Sequence, residues 1–183
     1  ETPHGWIVNP GDYKLDQIDG IVSDEEEKEY EIFDKAKVLL LMTDSTNIEN
    51  EGFALPEIKV HQGLENLLKK ISGRIIIAAF ASHISRLIKV IQIAEGLGKK
   101  IVLNGRSMKA NMEVSFEAGL YTPKKGTIIT MEEVDNYPPG KVVILTTGGQ
   151  GEEFSGLNRA ANKTDKKFSI KPGDTIILSA SIV

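Results

Sequence analysis

The chain has 183 residues, 40% of them hydrophobic and 26% charged, with 26 Asp and Glu against 22 Lys and Arg, no cysteine and a formal net charge of −4. This balance suits one main globular core, excludes disulfides and thiolate metal sites, and leaves the chain without the basic field of a nonspecific nucleic-acid clamp, although backbone N–H groups and hydroxyls can still bind an anion locally. No apolar stretch approaches the roughly 18 residues of a membrane span and no basic-then-apolar leader is readable, so no membrane association is expected and cytoplasm is the default compartment.

Residues 1–36 hold one short apolar run, Trp6-Ile7-Val8, then Gly11-Asp12-Tyr13-Lys14, then an acidic stretch from Asp24 to Glu31 that reads as solvated surface with a helical face near Tyr30, Ile32 and Phe33. This arm does not resemble the start of a self-contained α/β domain, which is placed at 37–183. From there strands and helices alternate. The pattern predicts strands at 38–43, 74–79, 100–103, 127–130, 141–146 and 175–179, and helices at 56–71, 83–97, 106–118 and 153–161. Residues 74–79, Arg-Ile-Ile-Ile-Ala-Ala, form the β-branched apolar run of a strand buried on both faces. Val60, Leu64, Leu67, Leu68 and Ile71 make one helical stripe, and Pro56 stands near its first turn. Pro138-Pro139-Gly140 and Lys171-Pro172-Gly173-Asp174 mark turns. The predicted fold is α/β, a mostly parallel sheet flanked by helices.

In an open parallel sheet, ligands gather beyond the carboxyl ends of the strands. Four polar strand tails are therefore the candidate sites: Thr43-Asp44-Ser45-Thr46-Asn47, Phe80-Ala81-Ser82-His83-Ile84-Ser85-Arg86, Asn104-Gly105-Arg106-Ser107 and Thr147-Gly148-Gly149-Gln150-Gly151-Glu152. Ser82 is expected to cap the helix that follows, presenting its N–H groups to an anion. Each tail also has a plain reading. Asp44, Ser45 and Thr46 form a strand-end turn as readily as a site, and the glycines fit ordinary turn chemistry because they match no dinucleotide or nucleotide-triphosphate loop. His83 is an ordinary first-turn polar residue unless a ligand meets it, Arg106 can hold phosphate or pair with a carboxylate, and Asp12 after glycine is by itself a turn residue. His4, His61 and His83 are too far apart in sequence to read as a zinc cluster.

Together these segments resemble the β-CASP branch of the metallo-β-lactamase superfamily, most closely the ribonuclease J group. Gly11-Asp12-Tyr13-Lys14-Leu15-Asp16 is similar to the family's GDFKFD and Thr43-Asp44-Ser45-Thr46-Asn47 to SDSTN. Phe80-Ala81-Ser82-His83-Ile84-Ser85-Arg86 resembles FASHIHR, and Gly105-Arg106-Ser107-Met108 equals GRSM. Thr147-Gly148-Gly149-Gln150-Gly151-Glu152 resembles TGSQGE, and Ile170-Lys171-Pro172-Gly173-Asp174-Thr175 resembles IKPGDT. Six segments in the family's order make the match specific.

The resemblance implies the RNA-binding β-CASP portion of a zinc-dependent ribonuclease with 5′-exo- or endonucleolytic action in RNA processing and decay. Asp12 would bridge two zinc ions, Asp44 would be a catalytic carboxylate, and Ser45, Thr46, Ser82, His83, Arg106, Ser107, Gly148, Gly149 and Gln150 would contact RNA phosphate, preferably a 5′-monophosphate. It also implies a fragment: the family's HxHxDH cluster would precede residue 1 and its late HASGH histidine would follow Val183. Residues 1–36 would then be a remnant of the metallo-β-lactamase domain, the chain's partner within its parent, and the fragment would carry no zinc and no activity alone. A homo-oligomeric parent is compatible with it. Ser85 stands where relatives have a second His, and Gly149 where they have Ser. A non-catalytic RNA-binding or assembly module of a degenerate homologue is the alternative reading, and an unrelated nucleotide-binding α/β protein a third.

Overall fold

The computed structural model describes residues 1–15, 17, 18, 20–46 and 48–179, and it divides into two compact units, Glu1–Val60 and His61–Val183. Asp16 and Asn47, which belong to two of the motifs above, lie outside the described residues.

The first unit contains two small sheets. Strand β1 (Trp6–Val8) pairs in parallel with β4 (Val38–Leu41), and β2 (Gln17–Ile18) pairs antiparallel with β3 (Ile21–Val22). The Gln17 amide ties this hairpin locally, accepting from the Gly20 N–H at 2.7 Å and donating to the Ala54 carbonyl at 2.9 Å. The acidic stretch forms helix α1 (Asp24–Tyr30), capped by Ser23, whose hydroxyl accepts from the Glu26 N–H at 3.3 Å. Four acidic residues, Asp24-Glu25-Glu26-Glu27, directly follow that cap in the sequence, and negative charge there suits the positive helix end. The strand expected at 38–43 forms, but its partner is β1 and not the larger sheet, and all four residues of β4 are exposed. The division between the two compact units falls at residue 60, inside helix α2 (Glu57–Lys70).

In the second unit five strands form one parallel sheet: β5 (Ile75–Ala79), β6 (Lys100–Leu103), β7 (Ile128–Ile129), β8 (Val142–Thr146) and β9 (Thr175–Ser179), in the order β7-β6-β8-β5-β9. Every residue of the central pair β5 and β8 is buried, which is why both read as unbroken apolar runs. At the edge, β9 alternates, with Ile176 and Leu178 exposed. On one face, Ile76, Val102, Ile144 and Val142 pack with Ala160 and the buried Phe168. Helices α3 (Ile84–Gly96) and α4 (Arg106–Glu117) contact one another and bury Leu87, Ile91, Met108 and Met112. A short helix, α5 (Gly156–Ala161), precedes β9.

The connection order positions the site. From β5 the chain crosses past β8 to β6, while from β8 it crosses past β5 to β9, so the two central strands send their connections in opposite directions. That is a topological switch point, and the crevice beyond the carboxyl ends of β5 and β8 is where such sheets hold ligands.

Candidate functional site

The site begins where apolar β5 ends. After Ala79 the chain turns through Phe80, with the His83 N–H donating to the Phe80 carbonyl at 3.1 Å, and α3 starts at Ile84. The helix-entry position belongs to His83 and not to Ser82: the His83 carbonyl accepts the first helical bond from Leu87 N–H at 3.0 Å, and its side chain makes no capping bond. Its ring instead meets Phe80 edge-on, with centroids 5.1 Å apart. Ser82 therefore keeps its hydroxyl outside the capping role and is exposed.

Beside it, the β8 tail is built around one buried and one half-buried threonine. Thr146 is fully buried, and its hydroxyl accepts from the Asn104 side-chain amide at 3.1 Å. The next residue, Thr147, closes a loop: its carbonyl accepts from Leu157 N–H and its hydroxyl from Gly156 N–H, both at 3.0 Å. Glycine is needed inside that loop. Gly148 has φ +115°, and a Cβ there would lie 2.5 Å from the Ser155 hydroxyl; at Gly156 a Cβ would lie 2.2 Å from the Thr146 hydroxyl oxygen. Gly148 and Gly149 are buried while Gln150 is exposed, its N–H donating to Glu152 Oε2 at 3.1 Å.

The β6 tail joins the same end of the sheet. Asn104 N–H donates to the Leu145 carbonyl at 2.8 Å, and Gly105 opens α4 with φ +100°. Arg106 and Ser107 are exposed in the first turn of α4, and Arg106 forms no salt bridge among the described residues. One turn further on, Asn111 donates to the Ala81 carbonyl at 2.8 Å, tying α4 to the β5 tail. Ser82, His83, Arg106, Ser107, Gly148, Gly149 and Gln150 thus belong to tails of three adjacent strands. The residues that knit those tails, Asn104, Asn111, Thr146, Thr147 and Ser155, are not chemistry-bearing types in a recognisable spacing; only Asn104 and Thr147, inside the polar tails, gave any sign.

Asp12, Asp44, Ser45 and Thr46 lie in the first unit. Asp44 Oδ1 accepts from the Thr46 N–H at 2.8 Å and the Thr46 hydroxyl at 2.6 Å, so the Thr46 hydroxyl is engaged locally. Those two bonds hold the Asp44 carboxyl below its ordinary range, making it an acceptor and not a proton donor near neutrality. Asp12 is exposed. Among the described residues no three His, Asp or Glu side chains come together to hold a metal, so these residues do not fit a two-zinc centre by themselves.

A cavity of about 260 Å³ opens at the opposite, amino-terminal end of the sheet, with Arg74, Tyr137 and Asp174 in its wall. It offers little for a ligand to pair with, because Arg74 is bonded to Asp174 and Lys171 to Asp135.

A family profile described as Ribonuclease J, beta-CASP domain, matches residues 72–183, nearly all of the second unit. Ribonuclease J of Thermus thermophilus is 41% identical over 98% of this chain and 31% of its own length. Ribonuclease J of Mycoplasma genitalium is 36% identical over 99% of this chain and 32% of its own. That of Corynebacterium glutamicum is 36% identical over 100% of this chain and 26% of its own. The chain thus spans about a third or less of these relatives, and the profile falls on the five-stranded sheet whose three polar tails form the candidate site: the chain belongs to the ribonuclease J β-CASP domain family.

Proposed function

We propose that this chain is the RNA-binding part of a ribonuclease and that the tails of β5, β6 and β8 hold RNA phosphate, with a 5′-monophosphate end as the preferred guest. The observation that carries the reading is the meeting of three polar tails at a switch point, in a domain of the ribonuclease J family. The Ser82 and Ser107 hydroxyls, the His83 imidazole, the Arg106 guanidinium and the starts of α3 and α4 are all donors an anion can use. With Arg106 the one permanent cation among those donors, few counterions are released and a shallow salt dependence of binding is expected.

Asp44, Ser45 and Thr46 are assigned to RNA hydrolysis and backbone contact by their motif alone, and Asp12 to zinc in the same way. Hydrolysis is assigned to a longer protein that includes a metallo-β-lactamase domain, in keeping with relatives about three times this length. The exposed apolar residues of β4 are a surface such a domain would cover.

An amide-shift titration of the chain with a 5′-phosphorylated RNA trinucleotide tests the reading. Shifts are expected at 81–86, 104–107 and 147–151. Ser82→Ala should weaken binding roughly ten- to a hundredfold, the loss of one hydrogen bond to a charged group. Gly148→Ala should abolish it by forcing the loop open. Shifts that avoid all three tails would overturn the assignment, and equal affinity for the unphosphorylated trinucleotide would remove the 5′-phosphate preference.

A further inference from the structure

We propose that Phe154 is a stacking platform for a nucleobase next to the phosphate held by the strand tails; the proposal rests on the RNA reading above. Phe154 is 81% exposed, more than any other large hydrophobic residue among those described. The other phenylalanines of the second unit are turned inward, with Phe168 buried and Phe80 and Phe116 half-buried. A lone exposed apolar side chain is ordinary on a protein surface, so exposure alone means little.

The way the ring is presented is the second observation. Phe154 lies in the loop that Thr147 closes at its base, the same loop that carries Gly148, Gly149 and Gln150. Its carbonyl accepts from Arg159 Nη1 at 2.5 Å. The following residue, Ser155, is buried; its hydroxyl caps α5 by accepting from Asn158 N–H at 3.2 Å, and its N–H donates to the Glu152 carbonyl at 3.0 Å. The backbone on both sides of the ring is therefore fixed, and the ring points outward from an anchored position. Only Phe154 and the charged Glu152 and Glu153 project from this part of the loop, and neither carboxylate would attract RNA.

A glycine-rich backbone beside an outward aromatic face is the two-part chemistry by which proteins hold single-stranded nucleic acid. The backbone takes the phosphate while the ring stacks on a base of any identity. A flat ring serves this purpose where an aliphatic side chain would only cover surface. The expected specificity is for single strands over duplex, with little preference among bases.

The test is fluorescence anisotropy of the full 183-residue chain with two 5′-phosphorylated single-stranded oligonucleotides, one ordinary and one abasic at its first three positions. Phe154→Ala should lose roughly five- to hundredfold in affinity for the ordinary strand, the fold-change of one lost base stack, and less than twofold for the abasic strand. Phe154→Trp should retain binding. Equal binding of both strands by wild type and Phe154→Ala would overturn the proposal while leaving the phosphate reading intact. An equal loss on both strands would also overturn it, assigning Phe154 to loop structure. Failure of wild type to bind either strand would overturn the phosphate reading and this proposal together.

Discussion

At the amino-terminal end of the five-stranded sheet, Arg74 is closed by Asp174, Lys99 by the Gly140 carbonyl and Lys141 by that of Leu97, whereas at the carboxyl end Ser82, His83, Arg106 and Ser107 stand exposed. Both ends belong to the same strands and the same core. They differ in where the polar groups find partners. At the strand starts, side chains reach carbonyls and carboxylates of neighbouring connections, which fixes how the strands enter the sheet. At the strand ends, buried Thr146 accepts from half-buried Asn104, while Ser82, Arg106 and Ser107 face outward. A rigid base with adaptable tails is how a parallel sheet can hold a ligand precisely without surrounding it.

Breaking the closed end should have the largest effect. Arg74 and Asp174 are only 6% and 4% exposed and meet in a two-pronged pair, Nε to Oδ1 at 2.9 Å and Nη2 to Oδ2 at 2.5 Å. Arg74 also donates to the Ser169 carbonyl, and Asp174 accepts from Lys171 N–H. Removing one partner strands the other charge in the interior, so Arg74→Ala or Asp174→Ala should each cost about 3–5 kcal/mol in urea unfolding. A loss below about 1 kcal/mol from either would show that this end is not closed in the way described.

The pair also shows what was legible in the sequence. The Ile-Ile-Ile-Ala-Ala run and the Val-Val-Ile-Leu run before Thr146 announced β5 and β8 because burial on both faces leaves no alternating polar positions to hide the signal. The same signal at 38–43 announced a strand but said nothing of its partner, since an apolar run does not encode which neighbour it pairs with. Asp174 was visible only as part of a motif; its bond to Arg74 spans a hundred positions and has no periodicity. Asn111 was hidden for the same reason, as a helical residue whose role depends on a loop thirty positions earlier. The Ser82 cap was misread because the helix enters one residue later, at His83, which makes no side-chain cap, and only the backbone turn at Phe80 decides that start.

A second, smaller test of the closed end uses pH. The Tyr121 hydroxyl donates to Glu95 Oε2 at 2.6 Å, and Lys124 N–H to Oε1 at 2.7 Å. That bond, with partial burial, pushes the Tyr121 hydroxyl up to about 12. Partial burial raises Glu95, but the Tyr121 and Lys124 donors outweigh it and leave its carboxyl below the ordinary range. For a tyrosine raised in the folded state, the stabilisation is full below its ordinary value near 10 and is lost as pH climbs through about 12. For a glutamate lowered in the folded state, it is full above the ordinary 4.5 and is lost below it. Tyr121→Phe should therefore cost about 1 kcal/mol at pH 7, partial solvation reducing the value of a fully buried charged bond. The gap between wild type and variant should close between pH 10 and 12 in parallel urea titrations. A gap that stays constant across that window would place the stabilisation in packing and not in the bond.

The smallest effect is expected at the open end, and it carries the opposite sign. Glu152 Oε2 accepts from the Gln150 N–H at 3.1 Å, so one donor of the glycine loop is already turned to a carboxylate within the loop itself. An incoming phosphate must displace that carboxylate or bind beside it, and like charges at that range disfavour one another. Glu152→Gln keeps an acceptor for the Gln150 N–H while removing the charge, so affinity for a 5′-phosphorylated trinucleotide should rise roughly two- to fivefold, an exposed charge being strongly screened. The gain should shrink as salt is raised and be absent for an unphosphorylated trinucleotide that binds through its bases. If Glu152→Gln weakens phosphate binding, the carboxylate is organising the loop, and the contrast between the ends narrows: the carboxyl end too would then depend on a charged side chain bonded to backbone, as Lys99 is to Gly140 at the other.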